Sequence, residues 1–244
     1  LTPFYRFTSP EGYEFGSGCY DPVHNRVLAP CQNNNVYFFD AATGKLKDSV
    51  NFNFIDKQEG VNTISLHPDG HTLFVGLNNL MLVYDIESKK VINNFNGANY
   101  TIGQAQFSHD GKMLATGSFT GVIHLFETKE YKKLLQVQTF SDKDPVWITP
   151  DNYYIASRSS LQDLYFNYNH TLYPFDQFDI NFNRPDTVLE RLGRIDRSLL
   201  NAYKEAWTKR FKKSGIPADR LRPDFKVPEL SILNAEQIPA FVTA

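Results

Sequence analysis

Cysteine, methionine and tryptophan are scarce in this chain, with two of each among 244 residues. Cys19 and Cys31 are too few for a disulfide framework and lack the Cys-x-x-Cys spacing of a zinc site, so they read as unpaired structural thiols and no metal is expected. An excess of charge is also missing. Twenty-five basic against 27 acidic residues leave a net charge of −2, which gives no electrostatic ground for nucleic acid or an anionic membrane as partner. Long apolar runs are absent: the stretch from Asn79 to Tyr84, with Leu-Met-Leu-Val at its centre, has the length of a strand and falls far short of a membrane span. The opening Leu-Thr-Pro-Phe-Tyr carries neither the basic region nor the apolar run of a signal peptide. This leaves the compartment open, with the cytoplasm favoured over a secreted or periplasmic location.

Residues that carry chemistry do not gather. Glycines never form a phosphate-binding loop, so no cofactor is expected, and Asp142 with Asp144 reads as a solvated turn. His24, His71, His124 and His170 show no ligand spacing, while His67 and His109 fall in repeated turns. Both cysteines lie in strand-like runs rather than at an exposed loop or helix start, where a thiolate nucleophile is activated. No catalytic residue is assigned.

What the chain has is an internal repeat. Leu66-His67-Pro68-Asp69-Gly70 recurs as Phe107-Ser108-His109-Asp110-Gly111 and as Ile148-Thr149-Pro150-Asp151-Asn152, each 41 residues after the last, with a weaker copy from Tyr20 to Asn25. Strand-like runs follow each turn. A third run then ends on an aromatic: Phe39-Asp40, Tyr84-Asp85, Phe126-Glu127 and Phe166-Asn167. Four short strands per unit at this period predict a mainly β fold of propeller type; a β-sandwich has no reason to repeat at a fixed interval. These units resemble WD repeats over about residues 17 to 180. They lack the Gly-His dipeptide, and Phe or Tyr stands where the Trp is expected, so the hydrogen-bonded tetrad of that family is not carried over. About four blades are visible. Because the family's rings have more, the reading is part of a larger ring whose missing blades come from elsewhere, with residues 1–16, including Phe4, Tyr5, Phe7 and Tyr13, as a strand of a preceding blade.

After the blades of 17–182 the period changes. Pro185 suits a helix's first turn, Thr187 to Leu192 form a short helix ended by Gly193, and Asp196 caps a second helix. On that helix Leu199, Leu200, Tyr203, Trp207 and Phe211 share one face, and Gly215 with Pro217 stop it. Residues 183–216 thus predict a helical brace on the last blade. Residues 217–244 read as a linker into a truncated downstream domain. The run from Tyr173 through Phe-Asp-Gln-Phe-Asp and Asn-Arg-Pro-Asp to Gly193 resembles the junction of bacterial multidomain proteins in which WD-repeat propellers precede a caspase-like cysteine peptidase domain. That resemblance implies chemistry downstream of Ala244 and carries no catalytic residue onto this chain.

The function expected is a non-catalytic scaffold that binds a protein partner, with Trp147 and Phe119 as candidate contacts. Trp147 replaces the polar Ser65 and Gln106 of the equivalent first-strand positions, as though something apolar covers it. Two rivals stand beside this: a propeller that binds a small ligand or acts as an enzyme through its channel, and a module that self-associates through open blade edges to complete a ring.

Overall fold

The computed structural model describes residues 7–10, 12–53, 60–77, 80–95, 102–162, 164–168, 170–193 and 195–217, with the backbone alone at Phe95, Tyr168, Asp176 and Gln177. The expectations for Phe4, Tyr5 and 218–244 lie outside these residues.

Each of the first three repeats supplies four antiparallel strands paired in chain order, the first two as separate four-stranded sheets and the third as part of a six-stranded one. The first holds β1 (Cys19–Asp21), β2 (Arg26–Pro30), β3 (Asn35–Asp40) and β4 (Leu46–Asn51). The second holds β5 (Thr63–Leu66), β6 (Thr72–Gly76), β7 (Met81–Asp85) and β8 (Lys90–Phe95). The third begins with β9 (Ile102–Phe107), β10 (Met113–Ser118), β11 (Val122–Glu127) and β12 (Lys133–Gln138).

The repeated residues explain the repeated geometry. In the turn between the first two strands, Gly70 and Gly111 take φ of +82° and +69°, and Asn25 and Asn152 take left-handed φ at the matching places. Side-chain oxygens beside them hold the reversal: Asp69 accepts from the amides of His71 and Thr72, and Ser108 from that of Met113. The acidic residue after each aromatic secures the next turn. Asp40 accepts from the Ala42 and Thr43 amides, Asp85 from Ser88, and Glu127 from Lys129 and Glu130. A register shift recurs just before the aromatic, at Phe38/Phe39, Val83/Tyr84 and Leu125/Phe126, so every sheet bends at the same point.

The three sheets pack face to face through apolar layers. Leu28, Phe38 and Phe52 meet Ile64, Leu73 and Leu82 between the first and second, while Phe74 and Met81 meet Ile102, Leu114 and Phe126 between the second and third. First strands lie side by side, β1 against β5 and β5 against β9, and the Ser65 hydroxyl accepts from the Phe107 amide at 3.0 Å. At the rim, Arg26 donates to the Gly70 carbonyl (3.2 Å) and His67 Nε2 to that of Gly111 (3.0 Å), so the same device joins each sheet to the next.

The fourth repeat is arranged differently. Its first two strands, β13 (Val146–Ile148) and β14 (Tyr154–Ile155), join the outer edge of the third sheet through β12, giving the order β14-β13-β12-β11-β10-β9. A short helix α1 (Arg158–Leu161), capped by Ser157, follows. The run that ends in Phe166-Asn167 belongs to a separate hairpin of β15 (Tyr165–Tyr168) and β16 (Thr171–Pro174). A 3-10 turn (Phe175–Phe178) leads to α2 (Asp179–Phe182), α3 (Pro185–Leu192) and α4 (Arg197–Ser214). The physical reason is coverage. Val188 of α3 is fully buried against Leu135 and Val137, with Trp147, Ile155 and Leu192 beside them, so the face that would receive another sheet is occupied from within the chain.

The helical boundaries follow their caps: Gly193 and Gly215 adopt left-handed φ as C-caps, and Asp196 accepts from the Ser198 amide at the start of α4. On the other side of the arc, Phe7 and Phe15 pack on Tyr37 and Phe39 of the first sheet. Among the described residues of 1–16, the ladder contact is a single bridge, Phe15 to Cys31.

Candidate functional site

Phe119 stands at the tip of the turn between β10 and β11 and is 85% exposed. The turn is built to hold it there. Gly121 takes φ of +78°, its amide donates to the Ser118 carbonyl, and the Ser118 and Thr120 hydroxyls bond at 2.8 Å. Gly103 lies beneath the ring, where a Cβ would come within 3.0 Å of it. An aromatic ring on a braced turn has low conformational freedom and apolar area left in water, a combination that suits contact with another macromolecule.

Trp147 lies elsewhere. It pairs across the sheet with Val137 and Ile155 and is half-buried in the cluster that α3 covers. The structure therefore does not bring Trp147 and Phe119 together: one faces the chain's own brace, the other solvent.

The rim turns concentrate titratable groups. Burial works to raise the carboxyl pKa of Asp21, but hydrogen bonds from Arg26 and His24 outweigh it and the net direction is down. His67 and His71 flank Asp69 at 2.8 and 3.5 Å. These groups tie turns and neighbouring sheets. Among the described residues, no group of three His, Cys, Asp or Glu side chains is placed to hold a metal ion. Both cysteines are free thiols. Burial pushes Cys19 up to about 11, keeping it protonated and a poor nucleophile at neutral pH.

Between the first strands, the segment Gly16-Ser17-Gly18 leaves little room. Ser17 bridges Thr63 of β5 and its hydroxyl accepts from Gln104 of β9 at 3.0 Å. A Cβ on Gly16 would come within 2.7 Å of the Asn62 carbonyl oxygen, and one on Gly18 would strike that of Leu28. The two glycines permit this close approach, a signal that sequence reasoning passed over. Ser65 is spent on the Phe107 amide, and Trp147 is absent from this axis.

Two four-stranded sheets and the first four strands of a six-stranded third, packed with their first strands adjacent and joined by matching turns, define a partial β-propeller followed by a short helical segment. Over 109 residues, 44% of this chain, the sequence is 28% identical to human echinoderm microtubule-associated protein-like 3, and the match spans 12% of that relative's length. The WD40 repeats of RRP9, in a crystal structure, are similar at a TM-score of 0.49 and 14% identity, covering 58% of this chain and 43% of that one. A structure of U3-55K is similar at 0.48 and 14%, with the same coverage. No protein-family profile matches the chain. No helix among the described residues is long and apolar enough to cross a membrane.

Proposed function

We propose that this chain is a non-catalytic protein-interaction scaffold whose contact surface centres on Phe119. The observation that carries this is the 85% exposure of a large aromatic on a turn whose hydrogen bonds hold it outward. The WD-repeat relative supports the class, since repeated blades offer a wide rigid surface and need no reacting groups. Its name describes a microtubule-associated protein, which makes polymerised tubulin the first purified partner to test.

The finer reading, that the scaffold belongs to a longer protein with a caspase-like peptidase domain downstream, rests on the junction sequence from Tyr173 to Gly193. A downstream peptidase Cys and His in the encoded protein is its test. A partner that buries Phe119 gains roughly 1.5–3 kcal/mol from that side chain. Co-sedimentation with polymerised tubulin should therefore weaken about tenfold or more in Phe119→Ser, with unchanged thermal unfolding. Equal co-sedimentation of both proteins removes Phe119 from the contact, and no co-sedimentation of either removes tubulin as the partner.

A further inference from the structure

Positive charge in this chain gathers on α4, the longest helix among the described residues. Six Lys or Arg and one Glu fall within Arg197–Ser214, although the net charge of the whole chain is −2. The two sides of the helix differ. On one, Trp207 stacks on Phe211, lies under the Arg184 guanidinium at 3.9 Å and donates to the Ile180 carbonyl, while Arg210 pairs with Asp179, so this side holds α4 to α2 and to the start of α3. The other side carries Asn201, Lys204, Glu205, Thr208, Lys209 and Lys212, the described residues along a groove of about 380 Å³.

Steps of three and four residues put these six on one face, and the lysines there are exposed. Their charge is not neutralised from within. Among the described residues none of the three lysines makes an ion pair, and the carboxylates around α4 are spent: Asp179 on Arg210, Asp186 on Arg184, and Asp196 on the Ser198 amide. Lys212 lies in the last turn, where positive charge suits the helix dipole. Lys204 and Lys209 lie further in, beyond the turn over which that effect acts, so helix formation gives no reason for them. Glu205, one turn from Lys209, offsets one of the three charges.

We propose that this face of α4 binds an acidic peptide segment of a protein partner, with Lys204, Lys209 and Lys212 meeting its carboxylates. Charge complementarity carries the assignment. From Lys204 to Lys212 the helix rises about 12 Å, a length that an extended peptide crosses in about four residues, so a run of Asp or Glu brings several carboxylates to the three ammonium groups. Each ammonium is a compact point charge on a flexible stem, suited to a row of separate carboxylates and lacking the planar fork that grips a single phosphate. Single-stranded nucleic acid fits less well, because Trp207 and Phe211 are turned to the packed side and leave no ring on this face for a base to stack on. A lipid surface fits less well too, since the groove residues beside the lysines are Asn201, Glu205 and Thr208 and none can enter the acyl layer. The assignment is independent of the contact at Phe119, which lies on the turn between β10 and β11.

The test uses the whole chain and fluorescein-labelled hexaglutamate, followed by fluorescence anisotropy at about 50 mM salt, where exposed charges are weakly screened. Saturable binding is expected below about 1 mM, with none of labelled hexaglutamine. The triple variant Lys204→Gln, Lys209→Gln, Lys212→Gln should weaken it about fivefold or more with unchanged far-ultraviolet circular dichroism. A control triple, Lys45→Gln, Lys129→Gln, Lys132→Gln, removes the same charge from exposed loop positions and should bind as the wild type does. Phe119→Ser should also bind hexaglutamate normally, so failure of the Phe119 contact and failure of this one are told apart. Absence of saturable hexaglutamate binding up to about 1 mM, or equal weakening by the two triples, overturns the proposal. Tighter binding of a uridine dodecamer than of hexaglutamate, or of phosphatidylserine vesicles, lost in the α4 triple, overturns the peptide assignment in favour of nucleic acid or lipid.

Discussion

His124 sits in the middle of β11, 3% exposed, with neither ring nitrogen hydrogen-bonded. Its cross-strand neighbour Thr116 is fully buried, and that hydroxyl likewise has no partner. Burial, with a contribution from Lys133, pulls the imidazole pKa down to about 4 from an ordinary 6.5. The unfolded chain therefore takes up a proton below pH 6.5 while the folded chain resists until about 4. Stability from this residue is fully present above pH 6.5 and drains as pH falls through that window, by about 3 kcal/mol in total. Urea unfolding at pH 7 and pH 4.5 should show the loss in the wild type, and His124→Leu should flatten it. An equal pH dependence in both proteins would show that His124 is not its source. The sequence carried no sign of this role, because burial of a histidine is a property of the sheets packed around it.

At the scale of elements, α3 acts as a cover for the third sheet. Val188 is fully buried against Leu135 and Val137, and Trp147 lines the same cluster. Val188→Ala should destabilise the chain by about 2 kcal/mol in urea unfolding. In a Trp207→Phe background the emission of Trp147 should also shift to the red as the cover loosens. A variant with unchanged midpoint and emission would show that α3 does not hold the sheet. This element was legible: Pro185, Gly193, Asp196 and Gly215 are local signals, and the helices begin and end where those residues dictate. The turns at Gly70 and Gly111 were legible for the same reason, since a left-handed φ next to an Asx or Ser cap is written in a few adjacent residues. The helical run from Phe175 to Phe182 was not. Phe166 lies 4.3, 4.6 and 5.3 Å from Phe175, Phe178 and Phe182, so an aromatic cluster assembled across separate elements accompanies a conformation that no local pattern announces.

For the whole molecule, the consequential feature is where the fourth repeat goes. Its turn matches the others: Thr149 accepts from the Tyr153 amide as Ser108 does from Met113, and Asn152 adopts the left-handed φ. Local sequence therefore predicted another blade. The outcome was decided by long-range pairing, in which β13 takes the free edge of β12 and Trp147 enters the cluster beneath α3. The result is an arc of three sheets covered by the chain's own aromatic residues on one side and by α3 on the other. Such an arc holds Phe119 outward on a rigid support, which is what the scaffold reading asks of the fold.

The most direct measurement of this arrangement is a pair of engineered disulfides in a background with Cys19 and Cys31 replaced by Ser. Gln136 and Ile148 are direct cross-strand partners of β12 and β13, a spacing that a disulfide can bridge. Gln106 and Ile148 would instead be neighbours if β13 followed β9 around a common axis, as Phe107 follows Ser65. Under mild oxidation, Gln136→Cys with Ile148→Cys should close to a disulfide and Gln106→Cys with Ile148→Cys should remain reduced; the reverse pattern would contradict the account.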